Sequence, residues 1–194
     1  MTEIINFVRI LLGDISTSNN DSPDIFIYGA SNIFTLTESN VISISSVSIS
    51  HSGVETVTTD YVFSTTTNKI TINASLTSGD IVTVIYTFYP NYSDTEIKNY
   101  INSALVHLGV HHYEDFNVES NDEIYPQPTV AENKVIALLT ATLMEPDNKG
   151  IRLPDVTISV PTDLPLSDRI GRIIGGFKKD NGGCGGSLGG EIYD

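Results

Sequence analysis

Residues 60–72 read Asp-Tyr-Val-Phe-Ser-Thr-Thr-Thr-Asn-Lys-Ile-Thr-Ile, and residues 78–97 read Ser-Gly-Asp-Ile-Val-Thr-Val-Ile-Tyr-Thr-Phe-Tyr-Pro-Asn-Tyr-Ser-Asp-Thr-Glu-Ile. In the first stretch, β-favouring residues stand on either side of Thr65-Thr66-Thr67-Asn68, the pattern of a hairpin. In the second, Thr77-Ser78-Gly79-Asp80 turns the chain into a strand over Ile81–Phe88. After Pro90 the pattern changes period. Ser93-Asp94-Thr95-Glu96 has the form of a capping box, in which serine and glutamate satisfy orphan backbone donors reciprocally. Behind it Ile97, Tyr100, Ile101, Ala104, Leu105 and Leu108 make a continuous helical stripe, with Gly109 as its C-cap. A β unit that passes directly into helices places the chain in the α+β class.

Toward the N-terminus, the β texture extends back to about residue 25. Serine and threonine supply 21 of the 50 residues from 31 to 80, which suits antiparallel sheets with one solvated face. Ile42, Ile44, Val47 and Ile49 alternate with serines except for one extra residue at Ser45-Ser46, where a bulge is expected. Residues 14–24 are polar and read as a loop. Residues 2–13 read as a helix: Thr2 as cap, Glu3 at the positive end of the dipole, Ile4, Phe7, Val8 and Leu11 at helical spacing, and Gly13-Asp14 as the stop.

Toward the C-terminus, residues 110–128 form an acidic connection. A second capping box, Thr129-Val130-Ala131-Glu132, opens a helix through Val135, Ile136, Leu139 and Leu143, and Glu145-Pro146-Asp147 stops it. Residues 150–166 are extended and punctuated by proline. Ser167-Asp168 begins a last helix with Ile170, Ile173, Ile174 and Phe177 on one face and Lys178-Lys179 at its negative end. From Asn181 to Gly190 the chain is mostly glycine, a composition that favours a flexible arm. The expected organisation is a helix of the helical core within 1–22, an inserted β domain over 23–92, the rest of the helical core over 93–180, and the arm over 181–194. The architecture expected is a small helical bundle with an inserted antiparallel β-sandwich or barrel-like unit and an extended C-terminal arm.

The charge sets what such a chain can bind. Ten basic side chains stand against 24 acidic ones, a net charge of −14, and no lysine or arginine occurs between Arg9 and Lys69. Duplex binding gains its free energy from clustered cations that release counterions, so a DNA-gripping role is not expected. No apolar run has the length of a membrane span. Met1-Thr2-Glu3-Ile4 lacks the basic start of a secretory signal. The single cysteine, Cys184, sits among glycines and has no second cysteine for a disulfide or a zinc knuckle.

No catalytic set emerges. His107, His111 and His112 cluster in sequence, but Gly109 is expected to end the helix between them, and no glutamate completes a metalloprotease pattern. Asp115-Phe116-Asn117-Val118-Glu119-Ser120 opens like a calcium loop but lacks glycine at its sixth position and has Pro126 where glutamate belongs. Gly182-Gly183-Cys184-Gly185-Gly186-Ser187 lacks the lysine of a phosphate loop, and no serine lies in a nucleophile elbow. No cofactor, metal or enzymatic activity is expected.

Taken together, the strand–turn–strand element of residues 60–86 and the helix that follows from Ser93 resemble the head–tail connector adaptors of tailed bacteriophages. In that family a short N-terminal helix, an optional β insert and later helices follow in this order. Pro161-Thr162-Asp163-Leu164-Pro165, the amphipathic helix and the loose tail fit the same plan. The resemblance implies a structural virion protein assembled in the host cytoplasm: a homo-oligomeric ring, usually twelve-fold, seated below the portal protein and joining the capsid vertex to tail or neck proteins. DNA would pass through its acidic lumen without specific binding, and no membrane is involved. Ile170, Ile173, Ile174 and Phe177 on the last helix, and Leu188, Ile192 and Tyr193 in the arm, are the side chains assigned to the portal or a neighbouring subunit. Neighbouring roles are a neck stopper or a tail terminator of the same particle. A cell-surface β binding module is the reading from outside the virion.

Overall fold

The computed structural model describes residues 1–111, 113–147 and 164–181. They form a mixed α+β chain of four helices and antiparallel strands, divided into two units: residues 1–13 with the described chain from Asp94 onward, and Asp14–Ser93.

In the second unit the expected hairpin is present. Strands β6 (Tyr61–Ser64) and β7 (Lys69–Ile72) pair antiparallel, with Tyr61 opposite Ile72 and Ser64 opposite Lys69. The turn closes through Asn68 at φ 55°, a left-handed conformation that asparagine tolerates better than most residues. Strand β3 (Ile33–Thr35) joins the other edge of β7, which makes a three-stranded sheet.

The larger sheet is centred on β8 (Ile81–Phe88). Along one side lies β4 (Val41–His51); along the other lie β1 (Thr17–Ser18) and β2 (Asp24–Ile27). The β4–β8 register slips between Ile44 and Ser46, where the extra serine was expected to bulge, and again between Val41 and Ser43. Beyond β4 lies β5 (Val54–Val57), which the sequence reading missed. Its hairpin turns on Ser52 and Gly53, at φ 51° and 85°, the two positive φ values that a two-residue turn needs to match strand twist.

Alternation along β8 sends Val82, Val84 and Tyr86 inward. They meet Val41 and Val47 of β4, and Phe34, Ile70 and Ile72 of the smaller sheet, in one buried cluster that both sheets share.

Residues 14–22, expected to be a polar loop attached to the helical part, belong instead to the β unit. Strand β1 pairs with Phe88 and Thr87 of β8, and Asn19 extends that contact along the same strand. Its backbone N–H donates to the Tyr86 carbonyl at 3.2 Å, its Nδ2 donates to the Val84 carbonyl at 3.2 Å, and its Oδ1 accepts from the Tyr86 N–H at 2.7 Å. One side chain thereby satisfies strand-edge groups that would otherwise be buried without partners.

In the first unit, α1 spans Thr2–Leu12. Thr2 is inside the helix rather than its cap; Met1 occupies that position without a side-chain bond. Gly13 ends α1 at φ 69°, with its N–H directed at the carbonyls of Arg9 and Ile10. Helix α2 runs Asp94–Val110 and buries Ile97, Ile101, Ala104, Leu105 and Leu108; Tyr100 of the expected stripe is exposed. After a small hairpin of β9 (Asn117–Val118) and β10 (Ile124–Tyr125), α3 spans Val130–Met144 and α4 spans Leu166–Asn181.

The capping box of α3 is formed as expected: Thr129 Oγ1 accepts from the Glu132 N–H, and Glu132 Oε2 accepts from the Thr129 N–H at 2.7 Å. Helix α3 packs against α1, α2 and α4. Enclosure by three helices explains why every residue from Val135 to Thr142 is buried, rather than the single stripe expected. Thr140 and Thr142 tolerate that burial because their hydroxyls donate back to the carbonyls of Ile136 and Leu138, both at 2.8 Å. Among the described residues, no helix is long and apolar enough to cross a membrane.

Candidate functional site

The stripe assigned to a partner is already covered. Ile170, Ile173, Ile174 and Phe177 are 2%, 0%, 1% and 4% exposed. They lie inside their own chain, on the helix that packs against α3. Each such side chain contributes about 1.5–3 kcal/mol by leaving water, so none is free to meet another subunit. Leu188, Ile192 and Tyr193 lie outside the described residues.

Around this helix the structure brings together groups that the sequence reading had left apart. The Tyr113 ring packs on Phe177 at 5.5 Å between centroids, and its hydroxyl donates to Glu132 Oε1 at 2.8 Å. Burial, then the Glu132 carboxylate, pushes the Tyr113 hydroxyl pKa up. Burial also pushes Glu132 upward, but the Thr129 N–H and hydroxyl and the Tyr113 hydroxyl outweigh it and hold the carboxyl below its usual range. Lys178 Nζ donates to the His111 carbonyl at 2.6 Å. These bonds tie α3, α4 and the turn after α2 to one another; they are structural in character.

Gly109 does not end α2. The helix continues to Val110, and the His111 N–H donates to the His107 carbonyl at 3.1 Å. A Cβ there would lie 2.9 Å from Asp115 Oδ1, so a larger residue would displace the end of that side chain. Within that loop, the segment that opens like a calcium site builds the β9–β10 hairpin instead. The Glu119 N–H donates to the Glu123 carbonyl at 2.8 Å, and Asp122 turns the chain at φ 63°. No group of three His, Cys, Asp or Glu side chains among the described residues is placed to hold a metal; His112 lies outside them.

Among the described residues, two hollows lie one in each unit. In the helical unit, Met1, Glu3, Glu119, Tyr125 and Pro128 border a recess of about 400 Å³. In the β unit a recess of about 500 Å³ is bordered by residues of the 17–26 segment together with Thr37, Glu38, Tyr86 and Phe88.

The second recess has an organised polar floor. Asp24 Oδ2 accepts from the Thr37 N–H at 2.7 Å and from the Tyr86 hydroxyl at 3.1 Å, and the Tyr86 oxygen accepts from the Glu38 N–H at 3.2 Å. Burial, with the nearby Asp24 charge adding to it, pushes the Tyr86 hydroxyl up to about 12, against a smaller lowering by the Glu38 N–H. The sequence reading missed this network. The signal available was Tyr86 itself, a polar-tipped ring at an inward position of β8, where a buried hydroxyl needs a partner.

No family model matches the chain, and no curated protein or solved structure matches it.

Proposed function

We propose that the chain is a structural virion protein, a head–tail connector of the adaptor kind that rings the axis below the portal. The observation that carries this reading is the order of the units along the chain. One short helix, Thr2–Leu12, belongs with the helices from Asp94 onward, and the β unit of residues 14–93 interrupts them. A helical bundle entered by one N-terminal helix and split by a β-sandwich or barrel-like insert is the plan that the resemblance implies. The net charge of −14 supports a lumen past which DNA moves without adhering. With Ile170, Ile173, Ile174 and Phe177 in the core, contact with the portal or a neighbour falls to the remaining surface and to the arm that carries Leu188, Ile192 and Tyr193.

Fold alone does not fix function, so the deciding test is assembly. Mass photometry of the chain alone and mixed with a portal ring should give a closed oligomer, or a monomer that becomes one on the portal. A monomer that ignores the portal and instead caps isolated tail tubes would move the assignment to a tail terminator.

A further inference from the structure

We propose that the recess around Asp24 binds a primary ammonium group, the end of a lysine side chain presented by a partner polypeptide. This inference does not depend on the connector reading. It begins with an unequal carboxylate. Asp24 is only 9% exposed, and its two bonds, from the Thr37 N–H and the Tyr86 hydroxyl, both go to Oδ2. Oδ1 receives no hydrogen bond from the described residues, yet it is not among the atoms sealed from solvent without a partner. A buried carboxylate at the border of a recess, with one oxygen engaged twice and the other without a donor among the described residues, is an acceptor held ready for a ligand that donates.

The surroundings select a cation. Asp21 and Glu38 border the same recess, and no lysine or arginine does. In the whole β unit Lys69 is the one such cation, against Asp14, Asp21, Asp24, Glu38, Glu55, Asp60 and Asp80. The form of the cation follows from Oδ2. A guanidinium binds best as a fork across both oxygens of one carboxylate, and here one oxygen is already engaged twice. An ammonium sends three donors to separate acceptors, which suits a recess whose border carries the Asp24, Glu38 and Asp21 carboxylates. The half-buried rings of Phe26 and Phe88 border the same recess and offer apolar surface to a methylene stem.

The test is a titration of the isotope-labelled full chain, read from backbone amide signals. The probes are n-butylamine, n-butylguanidine, spermidine, N-acetylglucosamine and the peptide acetyl-Ser-Lys-Ser-amide. Butylammonium and the lysine peptide should saturate the signals of Thr37, Glu38 and Tyr86, at least several-fold more tightly than butylguanidinium. Asp24→Asn should weaken both at least tenfold. Glu38→Gln leaves the Asp24 bonds in place and should weaken them a few-fold, so the proposal stays testable if Asp24→Asn does not fold. Non-saturating shifts spread over every acidic surface, equal binding of the guanidinium, or neither substitution having an effect would overturn the site. Saturation by the sugar instead would overturn its ligand class. Spermidine binding at least tenfold tighter than the lysine peptide would overturn the polypeptide source.

Discussion

Replacing Tyr86 with phenylalanine removes one oxygen and the two hydrogen bonds that pass through it. The bond to Asp24 Oδ2 disappears, although that oxygen keeps the Thr37 N–H at 2.7 Å. The Glu38 N–H loses its acceptor at 3.2 Å. Leaving a shielded donor unsatisfied costs about 1–3 kcal/mol. The ring itself stays, so no cavity adds to the loss.

The same hydroxyl makes a pH-dependent prediction. It ionises at about 12 in the fold, against about 10 for an unperturbed tyrosine. The folded value is the higher one, so its stabilising contribution is complete below pH 10 and is lost as pH rises toward 12. At about 1.4 kcal/mol per unit, the loss is on the order of 2–3 kcal/mol. Tyr86→Phe cannot lose what it lacks. Urea unfolding of parent and variant, followed by far-ultraviolet circular dichroism, should show the parent more stable by about 2 kcal/mol near neutral pH. The gap should close between about pH 10 and 12. Because the comparison is a difference, ionisation of Tyr113 and the general repulsion of an acidic chain cancel. A variant as stable as the parent at neutral pH, or a gap that stays constant across the alkaline range, would refute the network as drawn.

Ile173→Ala should cost about 2–5 kcal/mol in the same assay, because the side chain is fully buried; a partner-facing residue would lose binding and keep its stability. Thr129→Ala removes the capping-box acceptor of α3 and should lower stability by about 1 kcal/mol, whereas Thr129→Ser should restore most of it. Asp80 is held below its usual range by the Thr77 N–H and then by His51, whose Nδ1 lies 2.6 Å from its Oδ1. A depressed carboxyl gives stability that is present above its unfolded pKa of 3.8 and lost as pH falls through the folded value. Asp80→Asn should therefore be less stable at neutral pH and show a flatter acid limb in melts taken between about pH 4 and 2.

Legibility in the sequence tracked locality. The capping box at Thr129 and Glu132 and the hairpin at 61–72 were readable because their partners lie within a few residues. The bulge at Ser45-Ser46 was readable because one extra residue breaks a period of two. Strand β5 was not: Val54, Glu55, Thr56 and Val57 are all exposed, so no alternation marks it, and only Ser52-Gly53 announced a turn. Gly109 has the look of a cap yet lies inside the helix, and the Asp115 side chain that comes near it belongs to a later loop. The stripe on α4 was legible as an apolar face, but pattern alone does not say whether its own chain or another covers it. Asn19 and Asp24 carried no mark at all. Their roles depend on strand β8, more than 60 residues away, and a polar residue in a polar segment gives no sign of a distant partner.

The proposed place of this chain, in the neck of a tailed phage, is tested most directly by cryo-electron microscopy of intact particles. Symmetry-resolved density at the portal vertex should contain a ring of this chain directly below the portal, with side-chain density matching the β6–β7 hairpin and the Val130–Met144 helix. Particles that lack the chain, or that carry it in the capsid shell or at the tail tip, would contradict the account.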